Sequence, residues 1–209
     1  MTNKRLFYKK TGSAKYISHL DMNRMMLRTI QRGKIPVWRT AGFNPHPFIT
    51  FALPLSLGFT SEYDIMDFKV EQDIGDNILL RLFKESLPEQ IIAIEVADPI
   101  KKAKEIKYTA FKTEFQSSEA NKIRAFLEAE NIFVDKTTKK KKYERLDIKP
   151  KIAKMKLEQN VLSIILPAGS EENLNPNLLF DAMKKTGIDF DIINVTRTAI
   201  LDRDRKLFR

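Results

Sequence analysis

Two histidines, His19 and His46, stand in a chain of 209 residues that contains no cysteine. Proton transfer near neutral pH therefore falls to them first. His19 follows Lys15, Tyr16 and Ser18 in the run KYISHLD, and His46 lies between two prolines in TAGFNPHP. A histidine, a tyrosine and a lysine suffice for metal-independent RNA cleavage, which needs a base for the 2′-hydroxyl and a stabiliser for the developing phosphate charge. His19, His46 and Tyr16 are thus the candidate catalytic residues. The plain alternative is that both histidines are hydrogen-bonding struts, one at a helix start and one in a proline-locked loop. Other chemistries lack their residues. Without cysteine there is no thiol nucleophile, thiolate ligand or disulfide. His19, Asp21 and His46 are too few for a hydrolytic metal site and follow no metal-motif spacing. Glycine-rich phosphate loops and a Gly-x-Ser-x-Gly elbow are absent as well. No cofactor and no metal are expected.

A second set of residues suits nucleic acid. Arg24, Arg28 and Arg32 recur every four residues and form a basic stripe on one helix face. Asn44 and His46 sit in a loop stiffened by Pro45 and Pro47, with Trp38, Phe43 and Phe48 as stacking faces nearby. The net charge is +10, and it is concentrated: residues 136–156 hold nine lysines and Arg145 against Glu144 and Asp147. Lys139, Lys140, Lys141, Lys142, Lys154 and Lys156 are the candidate phosphate contacts there, with Arg24, Arg28, Asn44 and His46 as the others. The plain alternatives are a solvated helix face, core aromatics and a lysine-rich hairpin that serves solubility.

The elements that would position these residues follow from periodicity. Arg5–Lys10 reads as a strand. Ser18 caps a helix that ends at Gly33, with Asp21 three residues on as its capping-box partner and Met22, Met26 and Ile30 inward beside Leu20 and Leu27. Strands follow at 35–39, 48–53 and 63–70, with a constrained loop at 40–47 and a second at 54–61. A helix over 76–87 turns Ile78, Leu79, Leu82 and Phe83 inward, and a strand over 91–97 closes the set. Strand, helix, strand, strand, helix, strand is the ferredoxin-like (βαββαβ) order. After Asp98-Pro99 the order starts again: strand 106–115, helix to 130, strand 132–138, three strands of a meander to 166, helix 176–185 and strand 189–200. The expected fold is α+β, two tandem ferredoxin-like units over 1–99 and 100–209, with an inserted hairpin in the first, extra strands in the second, and LDRDRKLFR as a basic tail. On this topology the strand 35–39 returns to the edge where the first helix begins. His19, Arg24, Asn44 and His46 would then share one surface, with Tyr16 at its rim.

The segments SHLDMNRMMLRTIQR and AGFNPHPFITFALPLSLGFTSEYDIMDF closely resemble the bacterial radical-SAM-linked domain of unknown function, over roughly residues 4–71. The resemblance implies a bacterial, cytoplasmic protein that works with a cobalamin-dependent radical-SAM enzyme. No Cys-x3-Cys-x2-Cys is present, so that partner would be encoded separately. Two ferredoxin-like units with Ser-His-Leu opening the first helix are also distantly similar to the CRISPR repeat-processing endoribonuclease superfamily. The glycine-rich RNA-gripping loop of that superfamily is missing, since only Gly169 and Gly187 follow Gly75.

Together these readings lead to a non-catalytic, RNA-binding accessory protein that presents a substrate to a radical-SAM partner. Its rivals are a metal-independent endoribonuclease and a protein-docking module for that partner. No run approaches the roughly 18 apolar residues of a membrane helix, MTNKRLFYKK has no secretory core, and a cytoplasmic address is expected.

Overall fold

Strand β1 (Thr2–Lys10) alternates Lys4, Leu6, Tyr8 and Lys10 with Asn3, Arg5, Phe7 and Lys9. In the computed structural model, which describes residues 1–72, 74–137 and 143–209, its central residues are buried on both faces. The chain forms two compact units: Met1–Ala103 together with Phe208–Arg209, and Lys104–Leu207. The described helices and sheets make the protein α+β, with four α-helices and antiparallel strand pairing.

In the first unit β1 leads through a short 3-10 turn, Gly12–Tyr16, into helix α1 (His19–Arg32). Strands β2 (Ile49–Phe51) and β3 (Phe59–Val70), helix α2 (Asp76–Ser86) and strand β4 (Ile91–Ala97) follow. The strand order is β4–β1–β3–β2, each pair antiparallel. Leu6 and Tyr8 of β1 and Met66, Phe68 and Val70 of β3 pack with Met22, Met26 and Ile30 of α1 and with Leu79 and Phe83 of α2. The rings of Phe68 and Phe83 meet edge-on at 5.4 Å, a preferred aromatic geometry. Two residues expected in this core are not there: Leu20 and Ile78 are exposed. Leu20 sits two positions before Met22 and Ile78 one before Leu79, off the inward stripes that Met22, Met26 and Ile30 and then Leu79 and Phe83 complete without them.

Helix α1 starts as its sequence demands. Ser18 Oγ accepts from the Asp21 backbone N–H at 3.1 Å, and the same hydroxyl donates to Asp21 Oδ2 at 2.7 Å. Its end differs from expectation. Gly33 has φ −79°, an ordinary right-handed angle, and the left-handed residue is Lys34 at φ 49°. Glycine is required at 33 by space: a Cβ there would lie 2.2 Å from Ser86 Oγ at the end of α2.

The second strand is broken. Val37 bridges Val70, and the Trp38 N–H donates to the Lys69 carbonyl at 2.8 Å. The chain then leaves the sheet. Arg39 bridges Pro47, the Phe48 N–H returns to the Trp38 carbonyl at 2.8 Å, and β2 resumes with Ile49 opposite Phe68. Residues 39–47 are therefore an excursion from the middle of one interrupted strand, whose far end is Phe51 rather than Arg39.

The second unit contains β5 (Tyr108–Gln116), α3 (Ala120–Glu128), β6 (Phe133–Thr137), β7 (Tyr143–Asp147), β8 (Lys154–Glu158), β9 (Val161–Pro167), α4 (Pro176–Lys185) and β10 (Asp191–Leu201). Its order is β10–β5–β9–β8, again antiparallel throughout. The strand expected at 132–138 does not join this sheet. Among the described residues β6 pairs with β7 alone, and β8 takes the second-strand place. Phe115 packs edge-on against Phe180 at 5.8 Å and Phe190 at 5.4 Å in this unit's core. Lys185 Nζ reaches Asp135 Oδ2 at 2.5 Å, tying the β6–β7 hairpin to α4.

Candidate functional site

His19 is the first residue of α1 and is exposed at its outer edge. Its ring meets Phe51 edge-on at 5.4 Å. Both line a cavity of about 20 Å³ with Lys10, Asp64 and the turn residues Leu53, Pro54 and Leu55, room for about one water molecule. Lys10 and Asp64 are each only 3% exposed. The Lys10 ammonium donates to the Ile17 carbonyl at 3.4 Å, and Ser61 Oγ donates to Asp64 Oδ2 at 2.6 Å. In the β1–β3 register Lys10 lies opposite Ser61, and Tyr8 opposite Asp64. Buried ionisable groups beside a titratable residue at a cleft mark functional positions more often than chance.

Sequence reasoning missed Lys10 and Asp64, although a signal for both was present. Lys10 shares the parity of Leu6 and Tyr8, and Asp64 that of Met66 and Phe68, so period two alone turns both toward the helices. Both faces of β3 are buried around Asp64, so the stretch shows no clean alternation that would mark it.

The loop between Arg39 and Pro47 is braced from within. The Thr40 N–H donates to the His46 carbonyl at 2.9 Å, and the His46 N–H donates to Thr40 Oγ1 at 3.3 Å. His46 Nδ1 lies 3.2 Å from both Thr40 Oγ1 and the Asn44 carbonyl oxygen. The carbonyl selects the tautomer with the proton on Nδ1. Arg39 Nη1 donates to the Pro45 carbonyl at 3.3 Å. At the loop's base Lys69 Nζ stands 5.4 Å from the Trp38 ring centroid and 4.9 Å from that of Phe48. Phe43, by contrast, is fully exposed. Gly42 before it has φ +121°, which only glycine adopts without strain.

The structure brings His19 to Phe51 and the 53–55 turn. His46 finds its partners inside its own loop, whose base at Phe48 is three residues from Phe51, about 10 Å along a strand. One premise of the expected meeting of the TAGFNPHP loop root with the start of α1 does not hold. That meeting assumed a strand ending at Arg39, whereas the strand goes on to Phe51. Tyr16 is exposed in the 3-10 turn, with Lys15 Nζ 5.2 Å from its ring centroid.

Arg24 and Arg28 are exposed on α1, and Arg24 Nη1 donates to Asp21 Oδ1 at 3.1 Å. The Ser18 hydroxyl first, and then Arg24, hold the Asp21 carboxyl below its usual range. In the basic segment Lys139, Lys140, Lys141 and Lys142 lie outside the described residues. Lys154 and Lys156 are exposed on β8, the edge strand of its unit's order, and Lys156 Nζ is 2.6 Å from Glu158 Oε1. Lys149 Nζ donates to the Leu127 carbonyl at the end of α3 at 2.5 Å, and Lys151 pairs with Glu172. Among the described residues no group of three or more His, Cys, Asp or Glu side chains is placed to hold a metal ion. No described helix is long and apolar enough to cross a membrane.

The chain belongs to the bacterial family described as "uncharacterized protein conserved in bacteria (DUF2344)", whose model matches residues 4–176. No curated protein matches it.

Proposed function

We propose that this member of the family is an RNA-binding accessory protein that presents its ligand to a separately encoded, cobalamin-dependent radical-SAM enzyme. The observation that carries the RNA part is Phe43, fully exposed at the tip of a loop held by at least four internal hydrogen bonds. Exposing a large aromatic ring on a rigid support has no folding rationale, and it suits stacking on an unpaired base. Exposed Arg24, Arg28, Lys154 and Lys156, with a net charge of +10, supply phosphate contacts that need no particular sequence. The radical-SAM partner rests on the resemblance of the SHLD and GFNPHP segments to the radical-SAM-linked domain. We read each unit as ferredoxin-like, because the orders β4–β1–β3–β2 and β10–β5–β9–β8 are those of that fold. RNA is bound across many ferredoxin-like sheets, and that support is by analogy.

The test is binding of a fluorescent single-stranded RNA. Replacing Phe43 with alanine should cost about 1–3 kcal/mol of affinity, the usual worth of one base–aromatic stack. If the variant binds RNA like the parent but no longer retains a radical-SAM partner co-expressed with it, the loop is a protein-docking element instead.

One observation favours a second reading, a metal-independent endoribonuclease. His19 stands at the mouth of a cavity that holds the buried Lys10 and Asp64. Cleavage of RNA in the presence of a chelator, lost in His19→Ala and retained in His46→Ala, would favour it over the accessory role.

A further inference from the structure

The bonds that brace His46 also decide what the rest of its ring can bind. Nδ1 lies 3.2 Å from the Asn44 carbonyl oxygen. A carbonyl has no proton to give, so the ring donates, and the neutral imidazole carries its one proton on Nδ1. Thr40 Oγ1 lies 3.2 Å from the same nitrogen. The His46 main chain is tied in turn: its N–H donates to Thr40 Oγ1, and its carbonyl accepts from the Thr40 N–H. The ring is thus fixed in orientation as well as in tautomer. Its other nitrogen, Nε2, belongs to an exposed side chain and has no partner among the described residues. In the neutral ring that nitrogen is an acceptor only.

A fixed, exposed acceptor selects what it meets. Phosphate oxygens are acceptors themselves, so neutral His46 is no phosphate contact. It needs an O–H or N–H donor. In RNA these are the ribose 2′-hydroxyls and the N–H groups of base edges. The base donors stand at different positions on each base, whereas a 2′-hydroxyl accompanies every ribonucleotide and is missing from DNA. The phosphate contacts of the RNA reading need no particular sequence, and the hydroxyl matches that indifference. Phe43 stands three residues away in the same loop, at most about 11 Å along the chain. The sugar of a base stacked on its ring is therefore within reach of His46. We propose, resting on the RNA reading above, that His46 Nε2 accepts a hydrogen bond from a ribose 2′-hydroxyl and makes the loop selective for RNA over single-stranded DNA.

Fluorescence anisotropy of the full chain tests this with one short labelled sequence in three forms. These are RNA, DNA with deoxyuridine in place of uridine, and 2′-fluoro RNA, which keeps an RNA-like sugar without a 2′ donor. The parent should bind RNA roughly three- to tenfold more tightly than either other form, the worth of one neutral hydrogen bond. His46→Asn keeps a side-chain amide able to donate to the Asn44 carbonyl and removes the distal acceptor. It should lose the preference for RNA while its affinity for the DNA stays that of the parent. His46→Gln, which places an amide oxygen near the position of Nε2, should keep part of the preference and is a second readout if His46→Asn disturbs the loop. The 2′-fluoro comparison needs no variant. The proposal is overturned if the parent binds the three forms within a factor of about two of one another, or if His46→Asn discriminates as the parent does. Either result, with binding still dependent on Phe43, leaves base stacking by the loop standing. Absence of binding to all three forms removes the RNA reading, and the proposal with it.

Discussion

Gly33 shows how one residue can be required for a reason its sequence context conceals. A glycine after a helix suggests a left-handed cap, yet the left-handed angle belongs to Lys34, and Gly33 is fixed by Ser86 Oγ lying 2.2 Å from where a Cβ would be. Gly33→Ala should destabilise the first unit by about 1–3 kcal/mol, the usual cost of overpacking. Adding Ser86→Ala should recover part of the loss, so chemical denaturation of the two single variants and the double should show non-additivity. Asp21 gives a pH prediction. Its carboxyl is held below its ordinary value of 3.8, mainly by the Ser18 hydroxyl and then by Arg24. A carboxyl with a depressed folded-state pKa contributes stability above its unfolded value and loses it as pH falls through the folded value. Asp21→Asn should therefore melt below the parent at neutral pH, and the gap should close under acid, below pH 3.8. The Ser18–Asp21 cap was readable in the sequence because capping is local. Lys10 and Asp64 share the inward parity of their strands, but periodicity alone gives no reason to bury a charge.

At the scale of elements, most helices and strands were readable, since each carries its own periodicity, while strand partners were not. The second strand was read as ending at Arg39 because Gly42, Pro45 and Pro47 punctuate the chain there. Nothing local says that the strand resumes at Ile49 beside the same neighbour. In the second unit, Phe133–Thr137 and Lys154–Glu158 are equally strand-like five-residue stretches, and pairing with β9 gives the sheet position to the later one. The interrupted strand makes a prediction. Because Arg39 and Pro47 already face each other across a bridge, an Asn-Gly turn can replace residues 40–46. The loop's described hydrogen bonds are internal or with Arg39. The melting temperature should therefore fall by less than about 4 °C, the shift of roughly 1 kcal/mol in a chain of this size. RNA binding should fall as far as it does in Phe43→Ala.

At the scale of the whole molecule, the end of the chain is structural where composition suggested only a basic tail. Phe208 is fully buried, its carbonyl accepts from the Tyr63 hydroxyl at 2.7 Å, and the Arg5 guanidinium lies 4.8 Å from its ring centroid. Burial pushes the Tyr63 phenol well above its ordinary range. No periodicity links residues 145 positions apart, so the return of the tail could not be read from the sequence. Phe208→Ala should cost about 3–5 kcal/mol, as large aromatic truncations do, and hydrogen exchange should show the loss at the amides of β1. The concentration of positive charge was plain in the composition, and the function turns on what that charge meets. The decisive measurement is fluorescence anisotropy of a labelled single-stranded RNA over a range of salt concentrations, for the parent, Phe43→Ala and Lys154→Ala/Lys156→Ala. An RNA-binding role predicts that the parent binds with affinity falling as salt rises. Phe43→Ala should bind more weakly at an unchanged salt slope. The lysine variant's slope should flatten by up to about 0.7 for each phosphate it no longer neutralises. Absence of binding by the parent at low salt, or a Phe43→Ala variant that binds as the parent does, would contradict that role.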